Sequence, residues 1–115
     1  MLNISKTLLS LVLLAFSTSV LAERVTVTTT IDQLYSYSEQ GVFDGDIVIK
    51  ISNPPVGCED GFWLRSADTA GYKNTTSFLL SAYHAKSQVS LDGLTNEIWT
   101  GSAGKFCRLD HIGLM

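Results

Sequence analysis

The side chains that could do chemistry in this 115-residue chain are few and scattered. A hydroxyl nucleophile needs a base and an orienting acid within hydrogen-bond reach, and Ser81 or Ser102, His84 or His111, and Asp110 supply those residue types. Their placement argues against a small hydrolase. Gly101-Ser102-Ala103-Gly104 looks superficially like a nucleophile elbow, yet it falls between two short strand patterns, whereas an elbow joins a strand to a helix. Asp110 and His111 are neighbours in a strand pattern and are expected on opposite faces. Asp44 and Asp46 flank Gly45, and Glu59 abuts Asp60, but neither pair has the spacing of a calcium loop, and such residues readily form solvated turns. His84 and His111 are too far apart for ligand-like spacing. The expectation is no catalysis, no metal and no cofactor.

The aromatic residues are more suggestive. Tyr35, Tyr37, Trp63, Tyr72, Tyr83 and Trp99 run through a stretch of mixed polarity, and flat rings bind sugars by stacking while neighbouring polar groups meet the hydroxyls. Trp63, Tyr83 and Trp99 are the candidate binding residues. The competing account makes at least one tryptophan a core ring or a cover over the sheet.

These residues must be positioned by a β-rich framework. Arg24 to Thr30 alternates Val25 and Val27 with Thr26 and Thr28, predicting a strand with one buried face and one of hydroxyls. Residues 31 to 41 read as a loop or helical turn. Ile47, Ile49 and Ile51 alternate with Val48, Lys50 and Ser52 in a central strand, which Pro54 and Pro55 stop. Gly61 to Ser66 opposes Phe62 and Leu64 to Trp63 and Arg65. Asn74 or Thr75 caps a helix through about Ser87, with Ser77, Ser81, His84 and Gln88 as its polar stripe and Phe78, Leu79, Ala82 and Ala85 opposite. Asp92-Gly93 reads as a turn between two short strands, Gly101 to Gly104 as a hairpin tip, and Phe106 to Leu114 as a closing strand. The predicted fold class is α+β, mainly antiparallel: a small barrel or half-barrel, with one amphipathic helix and one disulfide.

Residues 1–22 have the order of a secretion signal: Lys6, an apolar run from Leu8 to Phe16, then Val20 and Ala22 as small residues before a cut ahead of Glu23. The apolar run is shorter than the roughly 20 residues a bilayer-spanning helix needs. Residues 23–115 are then a single β-rich domain, secreted or periplasmic, with no membrane attachment after cleavage. That domain carries seven Lys and Arg against eleven Asp and Glu, with no basic cluster, so nucleic acid is not an expected partner. Cys58 and Cys107 are its two cysteines, and in an oxidising compartment they are expected to pair.

From Ser77 to Leu114 the helix FLLSAYHAKS leads into the strands QVSL, EIWT and KFCRLDHIGL. That order resembles the small binding subunits of pertussis-type and subtilase-type bacterial toxins. The resemblance implies an OB-like barrel, assembly as five-membered rings and binding of host glycans, with a homo-oligomer among the expected partners; it carries over no glycan-contacting residue. The chain therefore reads as an exported small binding module for a glycan or protein partner. The alternative is a structural or accessory secreted protein without a small ligand.

Overall fold

The computed structural model describes residues 23–38 and 41–115; the expected signal segment lies outside the described residues. Six strands and one helix follow in the order β1 (Arg24–Thr29), β2 (Ile31–Ser36), β3 (Ile47–Ile51), β4 (Gly61–Leu64), α1 (Ala70–Ala85), β5 (Val89–Ile98) and β6 (Phe106–Leu114), with a short 3-10 turn at Gly41–Phe43. They form one sheet in the order β1-β5-β6-β4-β3-β2. All neighbours are antiparallel except β4 and β6, which run parallel. The fold is α+β, as expected, and the sheet is not closed into a barrel. Its two ends are nonetheless successive pieces of chain, since Thr30 alone separates β1 from β2. Counted as one strand, they leave five strands, the number that the expected OB-like half-barrel has.

Alternation explains the core. Ile47, Ile49 and Ile51 of β3 and Phe62 and Leu64 of β4 point inward, meeting Leu79 and Ala82 of α1, Val89 and Leu91 of β5, and Leu109 and Ile112 of β6. Cys58 and Cys107 are both fully buried within this cluster and form a disulfide across 49 residues, fixing the loop after β3 to β6. Val25 and Val27 pack against the same core from β1, while Thr26 and Thr28 face solvent.

Five local expectations are corrected. Residues 31–36 form strand β2, because Ile31 enters the core and Leu34 packs against it, which a pattern diluted by Asp32 and Gln33 conceals. The helix begins at Ala70, with the Thr69 Oγ accepting from the Tyr72 N–H at 3.2 Å, so the cap lies upstream of Asn74. Of its expected apolar side, Leu79 and Ala82 are buried, whereas Phe78 and Ala85 are exposed. Asp92-Gly93 lies inside one continuous β5: Gly93 is where the Phe62 ring presses on the backbone, and a Cβ there would stand 2.2 Å from Phe62 Cε1. Finally, Asp92 pairs with His111 and Gly93 with Leu109, so Asp110 is an extra residue in a β-bulge. The bulge reverses the alternation of β6 and lets Asp110 and His111 lie on one side, with 3.8 Å between Asp110 Oδ2 and His111 Nδ1.

Candidate functional site

Val48, Trp63, Trp99 and Phe106 form a second buried cluster, with Tyr37 and Phe43 packed against it. Val48 and Trp63 come from the same strands as the main core but from the opposite faces, so they cover the outside of the sheet. Trp99 follows β5 and stands at the centre, its ring 5.0 Å from Tyr37, 5.4 Å from Phe43 and 6.1 Å from Phe106 in tilted and edge-on contacts. The hairpin tip folds over it. A Cβ on Gly101 would lie 2.2 Å from Trp99 Cζ2, so only glycine permits that approach.

The indole N–H groups show why these rings turn inward. Trp99 Nε1 donates to Asp46 Oδ2 at 3.0 Å, and Trp63 Nε1 donates to the Glu97 carbonyl at 2.9 Å. Asp46 is itself only 4% exposed and also accepts the Ser66 N–H at 3.0 Å, while the Tyr72 hydroxyl donates to the Gly45 carbonyl at 2.6 Å. One carboxylate thereby ties the residues before β3, the end of β4 and the hairpin tip together.

Of the two accounts of the rings, the one that makes the tryptophans a cover over the sheet is what the structure shows. Trp99 is 3% and Trp63 9% exposed, so neither offers a free face for stacking. Tyr83 is exposed, but on α1, where it lines a separate cleft with Asp32, His84 and Lys86. What the buried rings do is floor clefts, two of which are lined by more than one ring of the cluster. The first, about 340 Å³, has Val48, Trp99 and Phe106 beneath and Tyr35, Tyr37, Lys50, Asp60 and Ser102 around it. Tyr35 is 44% exposed, and Lys50 Nζ lies 5.7 Å from its ring centroid in cation–π geometry. The second, about 500 Å³ on the other side of Trp99, is edged by Asp44, Arg65, Asn96 and Glu97. Both volumes fall in the range of small-ligand sites. Tyr35 stands among the suggestive rings of the sequence but not among the three candidates, and Lys50 is not singled out there; the signal that could have found them is that both alternate outward on adjacent strands.

The other candidates are placed as follows. Glu59 Oε1 accepts the Gly57 N–H at 2.9 Å, which holds its carboxyl below the usual range, and Asp60 Oδ2 accepts the Lys105 N–H at 2.7 Å. These carboxylates fasten turns. Ser102 Oγ accepts from Gly104 N–H at 3.1 Å at the exposed tip. Among the described residues neither histidine is hydrogen-bonded to a serine: His111 Nδ1 lies 3.2 Å from Asp92 Oδ2, and the His84 ring packs edge-on against Tyr83. Among the described residues no three His, Cys, Asp or Glu side chains are grouped to hold a metal ion, and no helix is long and apolar enough to cross a membrane.

Comparison with family models, with curated proteins and with solved structures gives no match.

Proposed function

We propose that the protein is an exported binding module that holds a glycan on the outer face of its sheet, in the cleft between Tyr35 and the hairpin tip. The observation that carries this reading is the exposed Tyr35 ring beside half-buried Tyr37, with Lys50, Asp60 and Ser102 within the same 340 Å³ cleft. An apolar ring for the sugar's C–H face, next to donors and acceptors for its hydroxyls, is the composition that carbohydrate recognition needs. The position suits it too, since OB-like half-barrels bind oligosaccharides and oligonucleotides on this face and its adjoining loops. The excess of acidic residues turns the choice away from nucleic acid. Export, to the periplasm or the cell exterior, rests on the secretion-type segment and agrees with the Cys58–Cys107 disulfide, a bond that persists in oxidising compartments.

A glycan array followed by titration of the strongest hit tests the reading. Tyr35→Ala and Lys50→Ala are each expected to weaken binding about tenfold, the equivalent of about 1.4 kcal/mol. Silence of the folded protein on the array, or unchanged affinity in Tyr35→Ala, overturns it and leaves an accessory role without a small ligand.

A further inference from the structure

We propose that the open edge of β2 joins two copies of this chain about a two-fold axis through Tyr35. Among the described strands β2 is laddered to β3 alone. The Tyr37 N–H donates to the Asp46 carbonyl, and the Tyr37 carbonyl accepts from Gly45. By the two-residue alternation of an antiparallel ladder, Tyr35 also turns its backbone toward β3, and Leu34 and Ser36 turn theirs to the open side.

The two edges of the sheet differ in how they are guarded. At the β1 end, the Thr28 carbonyl accepts from Asn53 Nδ2 at 3.2 Å, so the chain after β3 occupies part of that side. Edge strands are protected in many proteins by charge. The one charged residue of β2, Asp32, is instead held toward β3, where its Oδ1 accepts from Ser52 Oγ at 2.6 Å. Beside the open backbone lies an apolar cleft of about 330 Å³ between β2 and α1, lined by Leu34, Tyr72, Leu79 and Leu80, with Leu80 49% exposed.

A second copy fits this edge because the edge is self-complementary. Antiparallel pairing about Tyr35 sets Leu34 against the partner's Ser36 and Ser36 against the partner's Leu34. These are the residues whose N–H and C=O groups point outward, so four backbone hydrogen bonds form in two reciprocal pairs. Tyr35 then meets the partner's Tyr35 at a non-hydrogen-bonded position, where cross-strand side chains approach most closely. Asp32 falls opposite the partner's Ser38 and Gln33 opposite the partner's Tyr37, so no like charges on β2 are opposed. Such an interface is isologous and stops at two copies, whereas a five-membered ring is built head to tail.

Sedimentation velocity of the purified protein over a dilution series, compared with Ser36→Pro, decides the matter. The Ser36 amide faces the open side, so proline there removes a donor to the partner without breaking a ladder bond to β3. The expected result is a concentration-dependent dimer in the wild type and a monomer in Ser36→Pro, the two melting alike at dilutions where the wild type is itself monomeric. A wild type that stays monomeric throughout overturns the proposal, as does any assembly that Ser36→Pro leaves intact. Should Ser36→Pro fail to fold, Leu80→Lys is expected to weaken dimerisation about tenfold, and an unchanged dimerisation constant would count against the pairing. Ser36→Pro keeps Tyr35, Lys50 and Asp60, so a glycan titration of that variant reads the proposed function separately.

Discussion

Asp46 is the one charged side chain that the fold withdraws from solvent among the described residues, and both of its oxygens are engaged. Removing a partner from a buried hydrogen-bonded group leaves the full desolvation cost of the orphan, about 1–3 kcal/mol each. Asp46→Ala orphans two N–H groups, of Ser66 and Trp99, and is expected to lower the unfolding free energy by about 2–4 kcal/mol, read from urea denaturation followed by tryptophan emission. A loss below about 1 kcal/mol would mean that water replaces the carboxylate. The aromatic residues themselves were legible as a group that matters, whereas their orientation was not. Trp99 finds its acceptor 53 residues away and Trp63 finds its own 34 residues away, and no local pattern reports such partners. Asp46 has the same difficulty in reverse: beside Gly45 it resembles a solvated turn residue, and only the arrival of Trp99 makes it a core carboxylate.

At the level of elements, the strands with clean two-residue alternation, β1, β3 and β4, were readable, and so was the tip between β5 and β6. The departures come where a tertiary contact overrides a local signal. Gly93 marks the pressure of Phe62 where it would otherwise mark a turn, and β2 is a strand because Ile31 and Leu34 have a core to enter. The bulge in β6 is another such case, with an electrostatic consequence. It brings Asp110 to Arg24 of β1, whose guanidinium donates a hydrogen bond to Asp110 Oδ2, while Asp92 and His111 lie alongside. That bond, ahead of the smaller influence of His111, holds the Asp110 carboxyl below the usual carboxylate range. The native state therefore binds this proton less readily than the unfolded chain. The resulting stability is present above the ordinary carboxylate value and is lost as pH falls through the depressed one. Asp110→Asn is accordingly expected to be less stable than wild type at neutral pH, with the gap closing on acidification. Because the pair is partly exposed the gap is modest, and urea midpoints across a pH series measure it. A gap that widens in acid would contradict the assignment.

For the described domain as a whole, the fold class, its one α-helix among the described residues and the disulfide followed from composition and pattern, since an isolated cysteine pair in a small β-rich domain has few other uses. The order of the strands did not, because pairing between β4 and β6 or β1 and β5 spans distances that periodicity does not encode. The Cys58–Cys107 bond closes a 49-residue span, which in the loop-entropy model restricts the unfolded chain by about 4 kcal/mol before native strain is subtracted. The paired Cys58→Ser, Cys107→Ser variant is expected to lose about 2–4 kcal/mol, seen as a fall in melting temperature that dithiothreitol reproduces in the wild type. An oxidised and a reduced protein melting alike would remove the disulfide from any account of stability.

The continuity of β1 and β2 across Thr30 bears on the order of assembly. The segment from Ile31 to Leu64 holds β2, β3 and β4, three successive antiparallel neighbours that can pair as soon as they emerge. β1, although made before them, must wait for β5, where Arg24 meets Leu94, and pairings so distant in sequence are slow to close. Its threonine-rich outer face keeps that waiting strand wettable, so the earliest piece of the sheet is also among the last to dock.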